Sequence, residues 1–232
     1  MHLRALGLGS SSPTAAADLY AALGARIGGT PRGDDTLILL SRLMITYRRT
    51  PAPTRTVLGF LVPDLAVVGE RLTEAGIAWS CESQGVIGFS DGNPCYAVGS
   101  PQRDGVTLIA ATLFVRDVAA AAAWWAAAGL PTGRAETLGY RVPRAPRHDG
   151  GAAVFLDGDL TLHIAAAGDG PVTAAMGLRI HVDDPAALDA AEAGLTALGS
   201  PVERSETELR TATPEGIEVA LMVREGIAPD PT

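Results

Sequence analysis

Two histidines of the chain lie in stretches with the alternating pattern of β-strands, His163 in LTLHIA and His181 in GLRIHVDD. Because successive side chains of a strand point to opposite faces, Arg179 and His181 share a face. Histidine is the natural general base near neutral pH, and Arg179 can bind a carboxylate or stabilise an enolate. His163, His181 and Arg179 are therefore candidate catalytic residues of an isomerase, cyclase or lyase that needs no cofactor.

Each of these residues also has a structural interpretation, and the sequence leaves the choice open. His163 can be a core histidine that is hydrogen-bonded to backbone. His181 ends its strand and can be a solvated residue at the rim of a sheet. Arg179 and Glu218, on neighbouring strands, can form a salt bridge.

The composition excludes several classes of function. The net charge of -8 over 232 residues is opposite to the basic surface that nucleic-acid binding requires. All 18 basic residues are arginine, so the chain has no Schiff-base lysine and no phosphate-loop lysine. Cys81 and Cys95 form no CxxC motif and make no zinc site by themselves. The sequence shows no signal-peptide core and no membrane span, which predicts a cytoplasmic protein.

The chain repeats one order of elements four times: a strand, a turn, a helix and then short strands. In three copies a V-x-D triplet joins strand and helix, and its aspartate (Asp64, Asp117 or Asp184) can accept the free amide hydrogens of the first helical turn. In the first copy Ser12 or Pro13 begins the helix. The copies are predicted as modules 1–52, 53–111, 112–170 and 171–225, followed by a tail, 226–232. Hairpin turns are predicted at Asp157-Gly158 and Glu215-Gly216, and an irregular loop over 134–151.

These repeats resemble the vicinal oxygen chelate superfamily, which includes glyoxalase I, bleomycin-resistance proteins and extradiol dioxygenases. The resemblance rests on LFVRDVAAAAAWWAAAGL, LRIHVDDPAALDAAEAGLTALG, DGVTLIA and EGIEVALMV. It implies an α+β fold of four βαβββ modules, paired into two domains. Each domain would be a curled, eight-stranded mixed sheet that forms a cup with helices outside. With modules paired in chain order, the domains are 1–111 and 112–225.

The resemblance also implies where metal ligands would stand, and this chain departs from that pattern. Seven residues before the module aspartate, the ligand positions hold Ala5, Val57, Ala110 and Gly177, none of which can bind a metal. The resemblance places the other metal ligand in the last strand of a module. There module two has Ile109, module three has His163 and module four has Ala220. We therefore expect no metal and no other cofactor. The minor alternative is a divalent metal bound by His163, His181 and Glu218, as in a metal-dependent lyase or dioxygenase.

The predicted second-domain cup combines apolar and polar side chains, as ligand pockets do. Its inward residues by strand parity are Phe114, Arg116, Thr161, His163, Arg179, His181 and Glu218. The leading prediction is a metal-independent protein of the drug-binding or resistance type, with a small organic molecule contacting Phe114, Arg116, Thr161 and Glu218. The alternative is the cofactor-independent enzyme described above. Either a monomer or a homodimer is compatible with the repeats.

Overall fold

The fold is described from a computed structural model. It describes residues 1–28, 35–41, 43–51, 54–83, 85–90, 93–134, 151–156, 160–174 and 176–223. The turn predicted at Asp157-Gly158, residues 135–150 of the predicted loop and the tail 226–232 lie outside these ranges.

The described residues form four βαβββ modules, which confirms the predicted α+β class. Module one contains β1 (His2–Ser10), α1 (Pro13–Leu23), β2 (Arg26–Gly28), β3 (Thr36–Leu39) and β4 (Met44–Arg49). Module two contains β5 (Thr56–Val62), α2 (Leu65–Glu74), β6 (Trp79–Ser83), β7 (Val86–Ser90) and β8 (Pro94–Gly99). Module three contains β9 (Thr107–Val115), α3 (Val118–Ala127), β10 (Thr132–Arg134), β11 (Ala152–Phe155) and β12 (Thr161–Ala166). Module four contains β13 (Gly177–Val182), α4 (Pro185–Ala197), β14 (Val202–Arg204), β15 (Glu208–Ala212) and β16 (Glu218–Val223).

The predicted boundary between modules two and three, at residues 111 and 112, is wrong. Residues 107–111 belong to β9, which runs without interruption into the strand of module three. Module two completes its three short strands earlier, with β8. Apolar residues on both sides of the predicted boundary make one buried strand.

The helix starts follow the capping chemistry that the V-x-D triplets predict. Asp64 accepts from the amides of Ala66 and Val67, at 2.8 and 3.2 Å. Asp117 and Asp184 each accept from the amide three residues on, at 2.9 Å. The first helix begins at Pro13, and Ser12 makes no side-chain cap.

The strands form two eight-stranded sheets that combine modules out of chain order. Sheet A has the order β14-β15-β16-β13-β1-β4-β3-β2 and joins module four to module one. Sheet B has the order β10-β11-β12-β9-β5-β8-β7-β6 and joins module three to module two. At the centre of each, first strands of two modules pair antiparallel: β1 with β13, and β5 with β9.

The expected division into domains 1–111 and 112–225 therefore does not describe the sheets. Modules two and three pair with each other through β5 and β9. Modules one and four are left to pair, and the chain crosses between sheets twice. Hydrogen bonds fix both crossings: Thr54 Oγ1 accepts from the Gly9 amide at 2.7 Å, and Thr173 Oγ1 donates to the Arg55 carbonyl at 2.7 Å.

The helices lie between the two sheets and share one core with them. Helices α1 and α4 pack on sheet A, α2 and α3 pack on sheet B, and α1 contacts α2 as α3 contacts α4. Tyr20 of α1 meets Phe60 of β5 edge-to-face, with ring centroids 5.6 Å apart. Each sheet thus has a second face that is turned away from the helices. We call it face A in sheet A and face B in sheet B. None of the described helices is long and apolar enough to cross a membrane.

Candidate functional site

The residues predicted to share one cup are divided between the two sheets. Thr161, His163 and Phe114 lie on strands of sheet B, and Arg179, His181 and Glu218 lie on strands of sheet A. The helical layer separates these groups. The predicted single cluster, and with it the shared use of His163 and Arg179, is therefore wrong.

The same separation removes the metal site predicted as the minor alternative. His163 lies on sheet B, whereas its two supposed co-ligands, His181 and Glu218, lie on sheet A. Within the described ranges, no three or more His, Cys, Asp or Glu side chains are grouped so that they could hold a metal ion.

Arg116 follows β9 and belongs to neither outer face. Its Nη1 donates to the Gly168 carbonyl at 2.9 Å. It borders an open groove of about 570 Å³ beside the start of α3, together with Ala119, Ala152 and Ala166. Because Ala152 and Ala166 point to the helix side of β11 and β12, Arg116 is not placed to contact a ligand on face B.

Face B is filled by the chain's own side chains. The Tyr96 ring lies over Gly59 so closely that a Cβ there would collide with the ring and its hydroxyl. Burial raises the pKa of the Tyr96 hydroxyl above its usual range. The Arg55 guanidinium covers the Phe114 ring, 4.3 Å from its centroid, and donates to the Pro171 carbonyl at 2.6 Å. Side chains less than a tenth exposed form this cluster: Val57, Tyr96, Ala110, Phe114, Ala165 and Ala167.

A small polar spot interrupts this apolar face. His163 of β12 lies beside Thr112 of β9, and Thr112 lies beside Val57 of β5. Burial lowers the pKa of the His163 imidazole, which favours its neutral form. The Thr112 hydroxyl is buried and has no hydrogen-bond partner in the part of the chain that the structure describes.

At the centre of face A, glycines leave the sheet backbone uncovered, and we call this part of the face the floor. Gly7 of β1 lies directly opposite Gly177 of β13. Among the described residues, a Cβ on Gly177 would meet nothing within 4 Å, and one on Gly7 would meet only the Gly177 backbone, at 3.6 Å and beyond. Ala5 and Ala220 continue the floor with small side chains. Sheet A therefore has open space over Gly7 and Gly177, which we call the hollow, close to the position where sheet B has the Tyr96 ring.

Charged side chains stand beside this hollow. Arg179 is exposed and lies opposite Ala5, and Glu218 is exposed and lies opposite Gly177. Neither side chain forms a hydrogen bond or ion pair with any described residue, so the predicted salt bridge between Arg179 and Glu218 is absent. His181 is two residues beyond Arg179 on the same face and is partly exposed.

Module one supplies residues of face A that the sequence analysis did not include. Met44 lies beside Ala5, and Thr46 lies beside Gly7. The alternating sequence LGLG over 6–9 contained the signal, because its leucines face the helices and its glycines face outward. With modules paired in chain order, Ala5 and Gly7 would line a different cup from Arg179.

No family model matches the sequence, and no curated protein matches it. Among solved structures, a glyoxalase I mutant from Zea mays superposes with a TM-score of 0.64, at 12% identity over 96% of this chain and 93% of that chain. A putative dioxygenase from Bacillus subtilis subsp. subtilis str. 168 has a TM-score of 0.64, at 14% identity over 100% and 88%. The chain has the vicinal oxygen chelate fold. At these identities the likeness shows the fold and carries no activity with it.

Within the vicinal oxygen chelate fold, the β-pairing corrects one of the predicted ligand positions. Ala220 of β16 lies beside Arg179, and His163 of β12 lies beside Thr112. By the same register, the matching residue of module two is Tyr96 of β8, which lies beside Gly59. The earlier assignment of Ile109 is wrong because Ile109 belongs to β9.

Proposed function

We propose that the chain binds a small organic anion on face A. The hollow over Gly7 and Gly177 would receive the body of the ligand, and Arg179 would bind its carboxylate. The observation that carries the proposal is this open floor beside an exposed arginine that no described residue pairs. Face B offers less open space for a ligand, because Tyr96 and Phe114 already occupy it.

The chemistry of face A suits such a ligand. A guanidinium binds a carboxylate through two parallel hydrogen bonds, which fixes its orientation as well as its position. Leu37, Leu39 and Met44 are incompletely buried on the same side of the sheet and provide apolar contact. This proposal keeps Arg179 and His181 of the predicted site and replaces its sheet B residues with residues of module one. Glu218 has no binding role in it, because its carboxylate lies beside Gly177 and would repel an anion.

The test compares benzoate with the uncharged benzamide in NMR titrations. We expect benzoate to bind more tightly and to shift the amide signals of Gly7 and Gly177, with Gly59 of face B as the internal control. Arg179→Gln should weaken benzoate by about tenfold to a hundredfold, since hydrogen bonds to charged groups contribute about 1.5–3 kcal/mol. It should leave benzamide unchanged.

A second variant tests the hollow itself. Gly177→Leu places a side chain in open space, so the fold should tolerate it while both probes lose their binding. Two results would reject the proposal. One is that benzoate shifts Gly59 rather than Gly177. The other is that Gly177→Leu folds normally and still binds benzoate.

The alternative function is catalysis without a cofactor, with His181 as general base beside Arg179. It is favoured by the position of these side chains two residues apart on one face. The probe is exchange of the α-hydrogens of 2-oxoglutarate with D₂O, followed by NMR, since abstraction of this proton gives an enolate that Arg179 can stabilise. Protein-dependent exchange that His181→Ala abolishes would support an enzyme. Binding of the anion without exchange would support a binding protein.

A further inference from the structure

Two imidazoles and a thioether form one row across three neighbouring strands at the margin of face A. His2 of β1 lies directly opposite His181 of β13, and His181 lies beside Met222 of β16. All three are partly exposed. The next rung holds Leu3, Ile180 and Leu221, which are buried against the helices, so the row points away from the helices.

The register brings the three donors within reach of one ion. Neighbouring strands lie about 4.8 Å apart, and directly opposed side chains have their Cβ atoms about 4.5–5.5 Å apart. An imidazole or a thioether extends several ångströms from its Cβ. An ion above His181 can therefore be reached from both sides without a change in the backbone.

We propose that His2, His181 and Met222 form a binding site for copper(I). Thioether sulfur selects soft ions, and imidazole is a good ligand for copper. Zinc requires four ligands in most protein sites and favours thiolate, imidazole or carboxylate. Among the described residues, the carboxylate at the end of the row is that of Glu208, opposite Met222, and its Oε2 is paired with Arg210 Nη2 at 3.0 Å.

The site shares His181 with the residues kept for the proposed function, whereas His2 and Met222 have no part in binding the organic anion. Its donors lie two rungs beyond Arg179 and Ala5, and none of them belongs to the floor at Gly7 and Gly177. It also differs from the positions that the fold resemblance assigns to metal ligands, which hold Ala5, Gly177 and Ala220 in sheet A. Strand alternation alone does not reveal this row, because it does not show that His2 and Met222 are neighbours of His181.

Silver(I), a soft and redox-inert substitute for copper(I), is the first probe. The untagged full-length protein is labelled at its methionine methyl groups, of which there are four in the sequence. We expect one equivalent of silver(I) to shift the methyl signal of Met222. The signal of Met176, which is 3% exposed in the core, should stay in place. Copper(I) affinity is then measured by competition with a chromogenic chelator.

Three variants assign the ligands. His181→Ala should lower copper(I) affinity by about a hundredfold or more, since even the loss of an outer-sphere partner costs up to about that amount. Met222→Leu preserves volume and should lower copper(I) affinity while leaving zinc(II) affinity unchanged. His163→Ala, on the other sheet, is the control and should bind copper(I) like the wild type.

Two results would overturn the assignment. The first is that silver(I) leaves the Met222 methyl signal in place at one equivalent. The second is that a folded Met222→Leu variant keeps its copper(I) affinity. Arg179→Gln separates this proposal from the proposed function, because it should weaken benzoate and leave copper(I) binding intact.

Discussion

Thr112 carries a buried hydroxyl for which the described residues provide no partner, and this has a consequence for stability. A buried polar group without a hydrogen bond costs about 1–3 kcal/mol, and replacing it with an apolar group of the same shape removes that cost. We expect Thr112→Val to raise the free energy of unfolding by about 1 kcal/mol. The measurement is urea denaturation followed by circular dichroism.

Thr56→Val is the matched control. The Thr56 hydroxyl donates to the Thr112 carbonyl at 2.8 Å, so the same exchange of hydroxyl for methyl should destabilise the protein there. A loss of stability in Thr112→Val would contradict the prediction and indicate that a water molecule satisfies the hydroxyl.

His163 predicts a dependence of stability on pH. Burial lowers the pKa of this imidazole in the folded protein below the ordinary value of 6.5. Below pH 6.5 the unfolded chain takes up the proton more readily than the folded one, so the free energy of unfolding falls as the pH drops. Well above pH 6.5 both states are neutral at this residue and it contributes no slope. The loss continues down to the folded-state pKa.

The measurement is a set of urea titrations between pH 5 and pH 8. Compared with the wild type, His163→Gln should lose less stability on the acid side, and well above pH 7 the stability difference between the two proteins should no longer change with pH. Parallel stability curves for the two proteins would contradict the prediction.

For single residues, the sequence predicts well which face of a sheet each side chain occupies. Strand alternation placed Leu178, Ile180 and Val182 toward the helix, and all three are no more than 1% exposed. It also placed Arg179 and His181 on the opposite face, where they are found. What alternation cannot supply is the neighbour across the next strand, and that neighbour decides whether two polar residues form a site.

The helices are the elements whose limits were most closely predicted, because their starts depend on local chemistry. Asp117 accepts from the Ala120 amide at 2.9 Å, whereas Ser12 makes no side-chain cap at the start of α1. Asp117→Ala should therefore cost about 1 kcal/mol of stability, and Ser12→Ala much less. Thermal and urea unfolding of both variants provide the comparison. Equal losses would show that the aspartate acts other than as a cap.

Strand β9 was the element whose limits were missed. Local pattern divides it into two strands, one closing module two and one opening module three. The structure keeps one strand because both halves pair with β5, from Thr56 opposite Leu113 to Leu61 opposite Thr107. That pairing is a long-range property, and alternating apolar residues fit either division.

For the whole molecule, the βαβββ repeat was predictable and the partner of each module was not. All four modules offer a similar first strand, so local sequence is equally compatible with pairing in chain order or out of it. Connection length does not decide the order, because the connection 50–55 between modules one and two is no longer than the connection 100–106 between modules two and three. The order is set by long-range pairing of β1 with β13 and of β5 with β9, and hydrogen bonds accompany both crossings. Because the modules pair out of chain order, Arg179 lies near Ala5 and Gly7 rather than near Phe114 and Thr112. The proposed site therefore lies on face A and not in a cup shared by modules three and four.

Engineered cysteines can test the pairing in the intact chain. Gly7 and Gly177 lie directly opposite in antiparallel strands, at a Cα separation that a disulfide can span. In a background with exposed Cys81 changed to serine, we expect Gly7→Cys with Gly177→Cys to oxidise to an intramolecular disulfide, detected by thiol titration and mass spectrometry. Gly7→Cys with Val57→Cys is the control, because Val57 corresponds to Gly177 in module two but lies in sheet B. A disulfide in the control and none in the first pair would mean that the modules join in chain order, and face A as described would not exist.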